Sequence, residues 1–323
     1  MTLQDFRTAL NAWGEAGTPF FFCVDFELEK PFAFELQQVN AKEILFRIND
    51  VTNSNYKATA QTIPTFKKSP IGFSEYKNKF DKVFERLAYG DSFLTNLTIK
   101  TKIETDQSLE NLFHLVHAKY KLLVNNNFLV FSPETFVRIY NGKIFSYPMK
   151  GTIDASLPNA AAKILNDEKE KAEHITIVDL IRNDLSLVAD NVHVSRFRFI
   201  DEIKTNTKNL LQVSSEVTGT LPAGYRSQLG DILVSLLPAG SISGAPKQKT
   251  CAIISAAEQE KRGYYTGVFG YFDGNVLDSA VMIRFIEQAG NQLYYRSGGG
   301  ITTQSDAQTE YQEAIDKVYV PVT

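Results

Sequence analysis

Apolar positions along this chain recur with two different periods. In residues 2–13, Phe6, Leu10 and Trp13 share one side of a helix. In residues 75–88, Phe80, Val83, Phe84 and Leu87 repeat that spacing, with Ser74 as the expected cap and Gly90 as the stop. Residues 109–123 predict another helix. Short apolar runs at 20–26, 33–36, 44–48, 93–102, 128–131, 135–140 and 143–147 predict strands, the last two joined by an Asn141-Gly142 hairpin turn. Residues 61–70, with two prolines and two lysines, predict a surface connector.

In the second half, Asn159 and Asp167 look like helix caps, and Asp167 with Glu170 has the capping-box spacing. Residues 172–187 are apolar almost all round, which predicts a buried helix. Residues 191–221 are strand-like. Helices are expected at 229–236 and 246–258, and strands at 266–272, 279–287 and 292–297. Ser305 with Gln308 predicts a capping box on a terminal helix.

Strands therefore come in runs, with hairpins and helices between them. That predicts an α+β fold with mostly antiparallel sheets rather than a doubly wound parallel sheet. A length of 323 residues admits one large domain or two ordinary ones. An apolar fraction of 43% and a charged fraction of 22% are those of a soluble globular protein. A net charge of -3 gives no reason to expect nucleic acid or an acidic membrane as partner, so any basic site is local. The run from Phe20 to Val24 is far shorter than the ~20 residues of a membrane span. No signal peptide is visible, so the cytoplasm is the expected location. Cys23 and Cys251 sit in neither a nucleophile context nor a Cys-x-x-Cys motif, and read as buried reduced thiols.

Glu170 and Glu173 lie three apart on one expected helix, and Glu310 and Glu313 three apart on another. Such pairs share a helix face. Four carboxylates from two helices suit a hard cation such as Mg²⁺, or are simply solvated faces. Arg284, inside an apolar strand, needs an anion: a ligand carboxylate or an internal ion pair. Gly298, Gly299 and Gly300 form either a nest of bared amides or a flexible turn. Lys150, in an expected loop, is either exposed or, if buried near other cations, a neutral amine able to attack carbon. Glu134 is a candidate general acid or a surface carboxylate. The four histidines show no metal-ligand spacing, and no phosphate loop, dinucleotide fingerprint or serine elbow occurs.

Taken together, several segments resemble the chorismate-utilising enzymes. They are residues 90–98 (GDSFLTNLT), 148–152 (PMKGT), 168–184 (EKEKAEHITIVDLIRND), 238–247, 262–271, 278–284 and 298–317. The likeness spans about residues 74–318. It implies one large domain over residues 1–323, with two stacked sheets flanked by helices. Residues 1–73 would be a short N-terminal part and 74–318 the catalytic core. The resemblance implies that Glu170, Glu173, Glu310 and Glu313 hold Mg²⁺ at the ring carboxylate of chorismate. It implies that Arg284, Tyr265 and the amides of Gly298 to Gly300 cradle the enolpyruvyl carboxylate, with Ser243, Gly244 and Lys247 lining the same pocket.

Two positions discriminate within the family. Isochorismate-type members carry a lysine base where this chain has Leu94, and leucine cannot activate water. Anthranilate synthases typically have alanine where this chain has Lys150. Lysine there resembles aminodeoxychorismate synthase component I, in which the amine displaces the 4-hydroxyl and ammonia then displaces the amine. Glu134 resembles the acid that protonates the departing hydroxyl. The implied partners are chorismate, ammonia and a separate glutamine amidotransferase subunit, since no cysteine here sits in a nucleophile context. The implied pathway is 4-aminobenzoate and folate synthesis. Gln212 is read at the position of a family histidine and Phe285 at that of a threonine. The tryptophan-feedback signature is missing, so tryptophan inhibition is not expected. The anthranilate branch and a non-catalytic subunit of an amidotransferase complex are the alternative readings.

Overall fold

The strand Phe20–Val24 shows how the layers are built. All five of its residues are buried. Side chains alternate across a strand, so Phe20, Phe22 and Val24 enter one apolar cluster while Phe21 and Cys23 enter another. A strand buried on both faces reads as a continuous apolar run, which is why this one resembled a short core segment in the sequence. The same partition holds in Val268–Phe272: Val268 and Phe272 join the first cluster, Phe269 and Tyr271 the second.

The computed structural model describes residues 1–55, 64–203 and 209–321. Among them are two sheets of nine strands each, antiparallel at every pairing. The first runs in the order Met149–Asp154, Leu210–Thr220, Lys143–Ser146, Thr135–Tyr140, Leu277–Val281, Val268–Phe272, Phe20–Val24, Phe32–Glu35, with Asp190–Ile203 also on Leu210–Thr220. The second runs Gly244–Ala245, Leu94–Thr105, Gln292–Ile301, Phe285–Ala289, Phe128–Ser132, Tyr120–Val124, Ile44–Ile48, Val51–Thr52, with Phe66–Ser69 also on Leu94–Thr105. The two sheets stack through Phe21, Phe269 and Tyr271 of the first and Phe46, Leu122, Val130 and Phe285 of the second. Phe21 and Phe46 meet with ring centroids 5.1 Å apart. Helices Leu3–Ala16, Glu168–Leu185 and Leu229–Ser235 cover the outer face of the first sheet. Helices Phe73–Tyr89, Lys247–Glu258 and Ala307–Asp316 cover the second at one end. The expected α+β architecture of two stacked sheets between helices is therefore present.

Several local expectations change. Residues 109–123 are not one helix: Leu109–Leu115 is, but Tyr120–Val124 is a strand between Ile44–Ile48 and Phe128–Ser132. Its four buried residues satisfy both faces of a sheet, and sheet pairing overrides the helical spacing. Gly72, not Ser74, precedes the helix Phe73–Tyr89. Asp306, not Ser305, caps the terminal helix. Helix Glu168–Leu185 buries Ile177, Val178, Ile181 and Leu185 but leaves Ile175 exposed, so it is not buried all round. The expected connector at 61–70 lies partly outside the described residues, and its end, Phe66–Ser69, is an edge strand.

The expected strand at 279–287 is in fact two strands, one in each sheet. Leu277–Val281 belongs to the first and Phe285–Ala289 to the second, with Arg284 at φ 54° in the passage between them. A second passage, through Pro133 and Glu134, takes the chain from Phe128–Ser132 to Thr135–Tyr140. The two passages are tied together: Phe131 N–H donates to Arg284 O (3.1 Å) and Val281 N–H to Glu134 O (3.2 Å). Two ionisable residues, Glu134 and Arg284, thus lie on neighbouring passages where the chain changes sheets.

Candidate active site

Beyond Arg296 the strand Gln292–Ile301 loses its neighbour Phe285–Ala289 and stays paired only with Leu94–Thr105. Gly298, Gly299 and Gly300 face Thr98, Leu97 and Asn96 there. The triple glycine is therefore neither a nest nor a flexible turn, but an extended strand with one open edge. Side chains are excluded by contact: a Cβ on Gly298 would lie 2.2 Å from Leu97 O, and one on Gly300 2.8 Å from Leu94 Cδ1. A Cβ on Gly299 would approach Glu310 Oε2 at 3.4 Å and Glu313 Oε1 at 3.6 Å, while one on Gly300 would stand 3.9 Å from Lys150 Nζ. The bare strand is the surface on which both acidic glutamates and the lysine converge. Lys317 seals its rim, donating to Gly298 O (3.0 Å) and pairing with Glu313 (2.6 Å).

The other acidic pair enters from Glu168–Leu185, whose start is fixed by Asp167 accepting from Glu170 N–H (2.9 Å). Glu173 meets Lys150 Nζ at 3.1 Å. Glu170 packs against Gly151, 3.1 Å from where a Cβ would stand. Glu310 is buried and accepts from Ser305 Oγ (2.8 Å), which is how Ser305 is engaged instead of capping the helix. Burial raises the Glu170 pKa, and Glu173 and, more weakly, Glu313 add to it. Burial also raises Glu310; Ser305 opposes, while Glu313 and Glu173 add. Glu313 runs the other way: burial raises its pKa, but Lys317, Lys150 and Lys169 together outweigh that and the net shift is downward. Each helix's carboxylates thus feel those of the other.

Among the described residues, no three carboxylate, imidazole or thiol groups already close on one point as a finished metal cage. Mg²⁺ does not require one, because it keeps several waters and is typically held by one or two carboxylates plus substrate oxygens. An all-oxygen donor set, with like charges held together on two rigid helices, fits such an ion.

Lys150 is not in a loop. It lies in the strand Met149–Asp154, where the pairing with Leu210–Thr220 slips between Met149 and Thr152. Its neighbours are anions rather than the cations envisaged from sequence. Burial pulls its pKa down, but Glu173, with Glu313 and Glu170, outweighs that, and the net shift is upward.

Among the described residues Arg284 enters no ion pair, its Nε has no hydrogen-bond partner, and the side-chain hydrogen bond it makes is to Tyr319 rather than to a carboxylate. It stacks over the Tyr319 ring at 5.4 Å, a weak partner for a largely enclosed charge. Tyr265 is buried beside it, against Phe285. Glu134 accepts from Ser241 Oγ and, with Tyr147, Pro148 and Asp184, borders a narrow cavity. Burial raises the Glu134 pKa; Ser241, Lys150, Arg284 and Lys317 oppose without reversing the shift. Lys150 and Arg284 are thus both within electrostatic reach of Glu134.

Comparison with known proteins gives this arrangement a family. The model of the chorismate binding enzymes matches residues 13–323. This chain belongs to the chorismate-binding enzymes. It is 51% identical over 322 residues to a Haemophilus influenzae protein named "Uncharacterized PabA-like protein", covering 99% of this chain and 98% of that one. It is 35% identical over 260 residues to aminodeoxychorismate synthase component 1 of Salmonella typhimurium, covering 76% of this chain and 56% of that one. Anthranilate synthase component I of Streptococcus pneumoniae superposes with a TM-score of 0.66 at 28% identity, over 78% of this chain and 58% of that chain.

The remaining motif residues of this chorismate-binding enzyme all make internal contacts. Ser243 is fully buried and its hydroxyl donates to Ala239 O (2.9 Å). Gly244, at φ 131°, lies so close to Leu94 that a Cβ would fall 1.8 Å from its carbonyl oxygen. Lys247 is occupied by Asp184 (3.0 Å) and Leu236 O (2.9 Å). Gln212 pairs across Thr152 and Asp201 in the first sheet. Laid residue by residue under the family's His-Leu-Val-Ser, the run Leu211-Gln212-Val213-Ser214 puts Leu211 rather than Gln212 beneath the histidine. A nearby imidazole does exist: His174, fully buried, lies 2.6 Å from Ser215 Oγ. Sequence reasoning missed it, as it missed Ser241 and the buried pair Glu258–Arg262. Among the described residues no helix is long and apolar enough to cross a membrane.

Proposed function

We propose that this chain is component I of an aminodeoxychorismate synthase, aminating chorismate at C4 with ammonia from a separate glutamine amidotransferase subunit or from free ammonium. The observation that carries the reading is Lys150, whose amine lies between Glu173 and the bare Gly300 strand, at the heart of the site. Leu94, also against Gly300, supplies no base for water. The product would feed 4-aminobenzoate and folate synthesis in the cytoplasm.

In this reading Arg284 and Tyr265 hold the enolpyruvyl carboxylate at the open edge of Gly298–Gly300. That carboxylate supplies the anion Arg284 lacks. Glu170, Glu173, Glu310 and Glu313 would hold Mg²⁺, which supplies positive charge for the ring carboxylate. Lys150 reacts only in its neutral form, so its proton must first pass to solvent, while Glu173, at 3.1 Å, orients the amine. The neutral amine then forms a C–N bond to the ring while the C4–O bond breaks, and the hydroxyl leaves as water with the proton of Glu134. Burial favours the protonated Glu134 this step needs. Ammonia next forms its own bond to C4, and the Lys150 amine departs, leaving the enolpyruvyl group in place.

The test is incubation of the purified protein with chorismate, Mg²⁺ and ammonium, followed by product mass. The expected product is 4-amino-4-deoxychorismate; recovery of anthranilate and pyruvate would instead place the chain in the anthranilate branch. Lys150→Ala should lose most amination. Wild-type rates in that variant would rule out the covalent step.

A further inference from the structure

The Arg262 guanidinium is buried, its side chain 1% exposed, and each of its five N–H groups has an acceptor. Nε and Nη2 donate to Glu258 Oε2 (2.9 Å) and Oε1 (2.6 Å). The other Nη2 proton goes to Asn96 O (2.8 Å), and Nη1 serves Ile242 O (3.0 Å) and Thr266 Oγ1 (3.4 Å). Glu258 in turn accepts from Thr98 N–H and Thr98 Oγ1, both at 2.9 Å. Three segments that build the site therefore meet on one ion pair. They are the strand opposite Gly298–Gly300, the turn ahead of Ser243 and Gly244, and the loop carrying Tyr265.

The third segment is strained. Thr266 is buried and adopts φ 62°, a left-handed conformation that a β-branched residue disfavours. Its N–H donates to Met282 O (2.8 Å), two residues before Arg284, itself at φ 54°. The Thr266 hydroxyl accepts from Arg262 and donates to Tyr265 O, so this strained residue ties the ion pair to Tyr265 and to the Met282–Arg284 passage.

We infer that Arg262 and Glu258 are positioning residues: their ion pair clamps Thr266 in the left-handed conformation and so sets Tyr265, Arg284 and the Asn96–Thr98 strand for the substrate. The kinetic arm of the test rests on the function proposed above; the exchange arm does not. In Arg262→Lys and Glu258→Gln, KM for chorismate should rise about tenfold or more, from misplacement on the ångström scale, with kcat less affected. Hydrogen exchange of the free protein should quicken at residues 96–98, 242–244 and 264–268 and not elsewhere. Thr266→Gly, which makes the left-handed backbone free of strain, should restore much of the KM when added to Arg262→Lys. A lower unfolding midpoint with unchanged KM, uniform rather than local loosening, or no rescue by glycine would overturn the clamp. If the wild type turned over no chorismate, the functional reading would fall, and the exchange pattern alone would decide the clamp.

Discussion

Arg262 and Arg284 both act on the Tyr265 hydroxyl through their charge, yet they are provided for in opposite ways. Arg262 has a carboxylate and an acceptor for every proton. Arg284 has an aromatic face and an orphaned Nε. A buried cation whose needs are met inside the chain belongs to the framework. One whose needs are unmet is where the proposed substrate carboxylate would bind. The same division sorts the lysines: Lys247 is occupied by Asp184, while Lys150 faces the open site with a single close anion.

The comparison breaks first on stability. Glu258→Ala would leave Arg262 buried without its counter-charge, and loss of one partner of such a pair costs about 3–5 kcal/mol. Urea unfolding should show that loss; a change below about 1 kcal/mol would mean that water reaches Arg262 and that the two arginines do not differ in kind.

Arg284→Gln should do the reverse. With no internal anion to strand, unfolding free energy should hold or rise. Turnover of chorismate should suffer instead, with kcat/KM down about 100-fold, as expected when a charge-assisted contact to a bound carboxylate is removed. Equal loss of stability and activity would place Arg284 in the framework with Arg262.

The acidic faces extend the contrast to anions. Glu170 and Glu310 are held beside like charges on facing helices, so a cation that binds only the folded state should stabilise it. Added Mg²⁺ should raise the unfolding free energy by about 2.7 kcal/mol at a hundred times its Kd, and Glu173→Gln or Glu310→Gln should abolish most of that gain. Chelation should stop turnover, and Mg²⁺ should restore it. A variant stabilised as fully as the wild type would remove its glutamate from the metal set.

How much of this could be read from the chain depended on the range of the interaction. Glu170 with Glu173, and Glu310 with Glu313, were legible because helix geometry alone puts residues three apart on one face. Phe20–Val24 was legible because burial on both faces leaves an unbroken apolar run, and Ile44–Ile48 because only the exposed Arg47 interrupts one. Tyr120–Val124 was not, since a short apolar run fits helix and strand equally until its partners are known. The sheet change at Arg284 was hidden inside an apolar run from Val281 to Phe285. The Arg262 clamp was hidden for the opposite reason: only Glu258 and Thr266 lie within a helical turn of it in sequence, and Asn96 and Ile242 come from afar. The setting of Lys150 was misjudged because strand Met149–Asp154 gets its anionic surroundings from helices elsewhere in the chain.

A third guanidinium tests whether satisfaction alone, without burial, makes an arginine structural. Arg7 pairs with Asp231, which also accepts from Asn11, but both partners are more than a third exposed. The Arg7 and Asn11 hydrogen bonds hold the Asp231 carboxyl below the usual aspartate range. For an acid whose pKa is lowered by folding, the stabilisation is present above the unfolded value, near 3.9. It is lost as pH falls through the lower folded value. Solvent screening keeps such a pair to about 0–1 kcal/mol, so Arg7→Ala should shift neutral-pH stability by no more than that. The difference from wild type should shrink as pH drops below about 4, and should also shrink in about 1 M salt. A loss approaching that of Glu258→Ala, or one indifferent to salt, would show that exposure matters less than pairing, and would weaken the use of burial to tell Arg262 from Arg284.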